Sequence, residues 1–317
     1  MCDKRKIDLV YLWVNGQDKK WREKKNLYLK DKNISEASGG NCRYTDNDEL
    51  KYSLRSVEKY LKFINKIYIV TDNQTPNWLN LNNKQIKIID HSEIIPKKYL
   101  PLFNSVALET FIPYIEGLSE YFIYSNDDCF VYKNTKADFF FKNEKPVHRF
   151  NVRLKQSHKN HIYGKSLCYT KTIIENKINK KTVPFLPHHN MTGYKKSDCM
   201  EYINLFIDEI EKTRMMKFRE GCAMEKTGIE YWSVALKKSI YKRVHLGSID
   251  YIFALLRIKQ TDSLFLSKNK NNILEKLNLF KPHLFCINDI ENADGQNTIN
   301  LQNILEKLYP EKSCYEI

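Results

Sequence analysis

The chain has 317 residues and a formal net charge of +14 (Lys+Arg 52, Asp+Glu 38), with 42% apolar and 13% aromatic residues. A chain of this size buries enough apolar surface to fold without disulfide or metal staples, and its composition excludes bulk disorder. The longest uncharged apolar run, Tyr251 to Leu256, falls far short of the roughly 20 residues that span a bilayer, which excludes a transmembrane helix.

The amino-terminal Met1-Cys2-Asp3-Lys4-Arg5-Lys6 runs directly into Ile7 to Val14, an apolar, β-prone segment closed by Asn15-Gly16. It reads as a buried first strand and a turn. Its central acid, Asp8, and its early end do not suit a signal peptide, so a cytoplasmic protein is expected. A helix is expected from Asp18 to about Lys30, and Ser35 to Asn41 has the small, polar composition of a loop. Asp46-x-x-Glu49 is spaced like an N-cap and its N3 carboxylate. Leu50, Leu54, Val57 and Leu61 then recur on one helical face. Lys66 to Thr71 and Gln85 to Asp90 read as strands, separated by a turn segment with Pro76 and Trp78. Asn104 to Leu118 is expected to be a helix disturbed by Pro113, leading into a buried strand, Tyr121 to Tyr124, that ends at Ser125-Asn126-Asp127-Asp128. Another strand is expected at Val147 to Leu154. Helices follow at Ser197 to Lys212 and Glu230 to Lys238, then a strand from His283 to Asn288 and a helix from about Thr298 to Leu308. Alternating strands and helices indicate an α/β sheet, and no internal repeat is visible.

Eight cysteines (2, 42, 129, 168, 199, 222, 286 and 314) are scattered without a C-x-x-C pair, so reduced thiols and no structural zinc site are expected. Of the 52 basic residues 42 are lysine. That surface suits phosphates, nucleic acid or anionic lipid, and compositional bias accounts for it about as well.

Polar groups at the carboxyl end of a central strand are where open α/β sheets bind ligands. Asp127 and Asp128 there read either as carboxylates whose repulsion a divalent cation relieves or as a strand-ending turn. Arg43, Asp46, Asn47, Glu49 and Arg55 crowd one helix start, where they either hold phosphate or carboxylate or form a capped, solvated helix with local ion pairs. His188-His189, in a proline-bounded loop, offers a general base or phosphate donor, or a structural histidine. Lys217-Phe218-Arg219-Glu220 and Ile287-Asn288-Asp289 are ambiguous by themselves. The chain contains no P-loop, G-x-G-x-x-G or G-x-S-x-G, which counts against nucleotide hydrolases, dinucleotide enzymes and serine hydrolases. It also shows no RNP-like motif or basic-aromatic repeat, so nucleic acid is not an expected partner.

Taken in order, these motifs resemble the Stealth family of sugar-phosphate transferases. Ile7-Asp8-Leu9-Val10-Tyr11-Leu12-Trp13-Val14-Asn15-Gly16-Gln17-Asp18 is similar to its first conserved region, with Asn15 where Asp is more usual. The second region is matched by Arg43-Tyr44-Thr45-Asp46-Asn47-Asp48-Glu49-Leu50, Ser53-Leu54-Arg55-Ser56, Ile69 to Gln74, Phe103-Asn104-Ser105 and Tyr124 to Asp128. His189 with Lys196-Ser197 and Arg219 resembles the third region, with His188 an alternative to His189, and Phe285 to Asp289 resembles the fourth.

The resemblance implies a glycosyltransferase-like, nucleotide-sugar-binding sheet with helices on both faces and a mainly helical C-terminal part. The chain then forms one catalytic domain: an α/β core over 1–155, a mainly helical part over 156–280 completing the site, and a strand and helix over 281–317 returning to the core. It implies transfer of hexose-1-phosphate from a UDP-hexose to a hydroxyl of a glycan or lipid-linked oligosaccharide, as in capsule or exopolysaccharide synthesis, with UMP released. A conventional glycosyltransferase releasing UDP is the alternative. Glu109, Asp128, His189 and Arg219 are the implied catalytic positions. Asn15, Gly16, Asp18, Arg43, Asp46, Asn47, Arg55 and Asn104 are assigned to the donor, and Asp127, Asp128 and Asp289 to Mg²⁺ or Mn²⁺. Peripheral association with the inner face of the cytoplasmic membrane is consistent with the basic surface.

Overall fold

The computed structural model describes residues 5–29, 44–224, 226–244, 262–267, 272–288 and 295–317. Arg43, Asp289, Cys2, Cys42, the loop from Ser35 to Asn41 and the run from Tyr251 to Leu256 lie outside the described residues.

The chain opens with β1 (Ile7–Leu12), α1 (Lys19–Leu29), α2 (Glu49–Tyr60), β2 (Ile64–Thr71), β3 (Ile86–Asp90), α3 (His91–Ile94), α4 (Ser105–Glu109), β4 (Tyr121–Asn126) and β5 (Cys129–Val131). It continues through β6 (Phe141–Lys142), β7 (Lys145–Arg153), α5 (Ile162–Ile178), β8 (Phe185–Pro187), β9 (Thr192–Lys195), α6 (Lys196–Leu205), α7 (Ile207–Arg214) and α8 (Gly228–Ala235). It closes with β10 (Ile240–Arg243), β11 (Ser263–Ser267), α9 (Ile273–Phe280), β12 (Leu284–Asn288) and α10 (Gly295–Leu308).

The main sheet has the order β3-β2-β1-β4-β9. Its first four strands are parallel, and β9 adds antiparallel to β4. Side chains alternate faces along a strand, so a sheet covered on both sides needs apolar residues at nearly every position. Val10, Tyr68, Val70, Phe122 and Tyr124 face one core with residues of α5 to α8. Leu9, Tyr11, Ile67, Ile69 and Ile123 face a second core, where Leu50, Leu54 and Val57 of α2 pack. This is the α/β sheet with helices on both faces that the sequence indicates. The third sheet, β11-β12-β5, carries its own core with α9 and α10. Because β9 comes from residues 192–195 and β12 pairs with β5, the later parts of the chain are built into the amino-terminal half.

Asp8, the acid inside the first strand, is fully buried. It accepts Asn65 Nδ2 at 2.7 Å and Ser119 N at 2.7 Å, so it ties the start of β2 to the loop before β4 at the amino-terminal end of the sheet. A buried carboxylate persists only when its oxygens are hydrogen-bonded in this way.

Several elements differ from expectation. The N-cap of α2 is Asp48, in the left-handed region at φ 64° and without a side-chain cap, rather than Asp46. The helix expected over Asn104 to Leu118 is the short α4 followed by a single 3₁₀ turn, Ile112–Tyr114. Pro113 lacks the N–H that continuation requires. The helix expected over Ser197 to Lys212 is two helices, bent at Phe206, whose buried ring packs on Tyr202 at 5.0 Å. The 17-residue α5 has no counterpart among the expected elements.

Candidate active site

β1 connects toward β2 and β3 on one side, whereas β4 lies on the other side of β1. The strand order therefore reverses between β1 and β4, where open α/β sheets bind ligands beyond their carboxyl ends. A cavity of about 530 Å³ lies there. Leu12 and Asn126 end the paired strands in register, and the following residues, Trp13 and Val14 on one side and Asp127 and Asp128 on the other, line it.

One end of the cavity is aromatic. Trp21, at the start of α1, meets Tyr44 at 5.0 Å and Phe103 at 5.6 Å between ring centroids, and Phe103 stacks on Phe218 at 5.3 Å. Asn15 and Gly16 make the turn that permits this. Gln74 Nε2 donates to Asn15 O at 2.9 Å, and Gly16 N donates to Tyr44 O at 2.7 Å. A Cβ on Gly16 would sit 2.4 Å from Tyr44 O, so only glycine fits. Asp18 caps α1 through Trp21 N at 2.7 Å, which fixes the indole.

The opposite end is polar. Tyr124 Oη shares its proton between Glu109 Oε1 at 2.8 Å and Asn126 Oδ1 at 2.7 Å. With its oxygen so engaged, Asn126 turns Nδ2 to His189 Nε2 at 3.2 Å and donates to it. The same imidazole nitrogen lies 4.0 Å from Asp128 Oδ1. Desolvation in the cleft, with Lys226 and Arg219 nearby, holds the His189 pKa below its ordinary value against the pull of Asp128 and Glu109. That shift favours the neutral ring.

Arg219 reaches the same space, with Nη2 hydrogen-bonded to Ser105 Oγ. Its approach is set by Asn104, whose Nδ2 donates to Met216 O and Phe218 O, both at 3.2 Å, and by Phe103 N, which donates to Lys217 O at 3.0 Å. Asn104 thereby fastens the strap carrying Arg219 to the start of α4.

The carboxylates repel one another. Burial first, and then the charges of Asp128, Glu49 and Asp46, push the Asp127 pKa well above its usual range. Burial and Glu49 raise Asp46 to about 6. On the cavity's flank, Asp128, Cys129, His189 and Cys286 bring one ligating atom each within 4.8 Å of one another, a cluster able to hold a metal ion. Cys129 and Cys286 face each other across the antiparallel β5–β12 pair. The fold has thus brought together thiols 157 positions apart, a juxtaposition that the absence of C-x-x-C did not foreshadow.

The structure sorts the remaining sequence-assigned residues. Asp127, Asp128, His189 and Arg219 line the cavity together, and Glu109 stands behind Tyr124, outside that lining. His188 is buried, its backbone N–H on Arg149 O at 2.8 Å, so of the two neighbours His189 is the one that lines the cavity. Arg55 is a correction. Its Nε and Nη2 bind Glu316 at 2.8 Å each and its Nη1 donates to Tyr309 O at 2.8 Å, so the guanidinium anchors the carboxyl-terminal segment instead of a donor. Asn15, Gly16, Asp18, Asp46, Asn47 and Asn104 are likewise not lining residues; Asn47 is held by Glu49, its Nδ2 on Oε1 at 2.9 Å. Their neighbours Trp13, Val14, Tyr44, Thr45 and Ser105 line the wall in their place. Asn126 and Lys226 escaped sequence reasoning as well. Lys226 Nζ lies 3.5 Å over the Tyr124 ring, and only the position of Asn126 within the strand-ending Ser-Asn-Asp-Asp run hinted at its role.

Among the described residues, no helix is long and apolar enough to cross a membrane. The profile of Stealth protein CR1, conserved region 1, matches residues 5–32, and that of Stealth protein CR2, conserved region 2, matches residues 43–148. The chain is 34% identical over 305 residues to the capsular polysaccharide phosphotransferase fcs1 of Haemophilus influenzae, covering 91% of this chain and 79% of that protein. It is 28% identical over 347 residues to WcwK of Streptococcus pneumoniae, with 100% and 99% covered. It is 33% identical over 321 residues to SacB of Neisseria meningitidis serogroup A, with 98% of this chain and 57% of that protein covered. Both of these are also named capsular polysaccharide phosphotransferases, which does not favour the conventional glycosyltransferase alternative. The chain belongs to the Stealth family of sugar-phosphate transferases.

Proposed function

We propose that this enzyme transfers hexose-1-phosphate from a UDP-hexose to a glycan hydroxyl in capsule or cell-wall polysaccharide synthesis, forming a phosphodiester and releasing UMP. The observation that carries this reading is the convergence of an imidazole, a guanidinium and two carboxylates on one cavity at the β1/β4 switch point, opposite an aromatic wall.

The acceptor oxygen attacks the β-phosphorus, forming one P–O bond as the bond to the UMP oxygen breaks. His189 Nε2, which accepts from Asn126 Nδ2 in the resting site, exchanges that bond for the acceptor hydroxyl and takes its proton, and Asp128 stabilises the resulting imidazolium. Arg219, steadied by Ser105, presents its planar fork to the phosphoryl oxygens, where negative charge builds. Glu109 is a positioning residue, acting on His189 through Tyr124 and Asn126. The aromatic end, Trp21, Tyr44 and Phe103, offers flat apolar faces to the uracil.

Mg²⁺ or Mn²⁺ prefers oxygen ligands. The mutual repulsion of Asp127, Asp128, Asp46 and Glu49 fits such a cation, with Asp127 and Asp128 as its ligands. When bound it would neutralise charge on the diphosphate. The basic surface, +14 overall, supports work beside anionic lipid on a lipid-linked acceptor. Incubation with a panel of UDP-hexoses and capsular oligosaccharides tests the reading: UMP together with a diester phosphorus signal is expected, and UDP without a diester contradicts it.

A further inference from the structure

We propose that Asp128, Cys129, His189 and Cys286 form a binding site for one thiophilic divalent cation of the zinc class, and that filling it withdraws Asp128 and His189 from phosphotransfer. The second half rests on the function proposed above; the first does not.

The donor set is two sulfurs, one imidazole nitrogen and one carboxylate oxygen, all within 4.8 Å of one another. Hard cations such as Mg²⁺ take oxygen ligands, whereas thiolate with imidazole selects zinc and its neighbours in a four-coordinate shell. The set is also preorganised. Cys129 and Cys286 are register partners on β5 and β12, and both are buried. Cys129 Sγ already lies 3.5 Å from Asp128 Oδ1, and Asp128 Oδ1 lies 4.0 Å from His189 Nε2. Asp128 O accepts Ile287 N at 3.0 Å, so β12 is pinned to the turn that carries the carboxylate. His189 is the exposed member, its side chain 42% accessible from the cavity, which gives a cation a way in. On binding, each thiol releases its proton to solvent as its sulfur takes the cation, and no redox change occurs.

The consequence follows from the sharing of residues. His189 Nε2, 4.0 Å from Asp128 Oδ1, would give the cation the lone pair that otherwise takes the hydroxyl proton, and Asp128, 3.5 Å from Cys129 Sγ, would be held toward the thiols. A thiophilic cation would therefore antagonise the reaction at the same site where a hard cation assists it.

The test uses the full chain, stripped of metal, with Co²⁺ as the spectroscopic probe and no sugar nucleotide. A near-ultraviolet thiolate-to-cobalt band saturating at one equivalent, displaced by one equivalent of Zn²⁺ and absent from C129A/C286A, is expected. No band would overturn the site, and so would the same band in the double variant, which would place the thiolate ligands elsewhere, as at the exposed Cys222 or Cys314. If the double variant does not fold, X-ray absorption of the wild type with one equivalent of Zn²⁺ decides: two sulfur neighbours uphold the site, and none or one overturns it. In turnover with Mg²⁺ present, site-filling Zn²⁺ should lower the wild-type rate at least tenfold and the double variant's less than twofold. Full wild-type turnover with the site filled would overturn the inhibitory half. Absence of turnover in metal-stripped, Mg²⁺-reloaded enzyme would instead count against the phosphotransfer reading, and the cobalt band would still decide the cation site.

Discussion

At the scale of single residues, Arg219 is the most direct probe of the proposed chemistry. Lysine keeps the charge but not the planar fork. Arg219→Lys is expected to lower kcat by about 10²-fold with a smaller change in KM, the order seen when one oriented transition-state donor is lost; steady-state kinetics at saturating donor would check this. Glu230 gives a pH-dependent counterpart. Burial raises its pKa to about 7, Tyr194 Oη donates to Oε1 at 2.8 Å, and Oε2 is buried without a partner. A raised carboxyl stabilises the fold below its unfolded pKa and loses that contribution as pH rises through the folded value. Glu230→Gln should therefore raise Tm by a few degrees at pH 8 and leave it unchanged at pH 5. Asp127, Asp128, His189 and Arg219 were legible in the sequence because ordered motifs carry them. Arg55 and Asn104 were misread because their partners, Glu316 and the Met216 to Phe218 strap, lie more than a hundred residues away.

At the scale of elements, periodicity located β1, α2, β2, β3 and β4 within a few residues, because each is buried on a face that its sequence pattern marks. It failed on α5, where Gly164 and a mixture of Thr, Ile and Tyr are poor helix formers and packing on α8 supplies the stability. The β1 turn is the element most sensitive to a small change. Gly16→Ala forces a Cβ against Tyr44 O, so we expect a loss of roughly 1–3 kcal/mol, the usual cost of overpacking. KM for the donor should rise with it, since Trp13 and Tyr44 flank the turn. On α2, Leu54→Ala should cost about 2–5 kcal/mol in denaturant unfolding with little effect on KM, because Leu54 is fully buried beneath the sheet and away from the cavity.

For the whole molecule, four buried or half-buried histidines bias stability toward neutral pH. Burial lowers His91, His188 and His283 to about 4 and His148 to about 3. Below an unfolded pKa of about 6.5, the unfolded chain binds protons that the folded one refuses, so their contribution falls as pH drops from there toward 4. Glu230, Asp46 and Asp127 oppose this over part of the window, and the four histidines outweigh the three carboxyls. Calorimetry should show Tm lower by roughly 10 °C or more at pH 4.5 than at pH 7. The same long-range assembly explains what no local pattern revealed: strands β5 and β12, far apart in sequence, bring Cys129 and Cys286 to the flank of the cavity that holds Asp128 and His189. The most direct test of the central claim is the identity of the nucleotide released when the enzyme, with Mg²⁺, consumes a UDP-hexose in the presence of a capsular oligosaccharide. Phosphotransfer predicts UMP in one-to-one yield with a phosphodiester resonance on the glycan; release of UDP with no diester would contradict it.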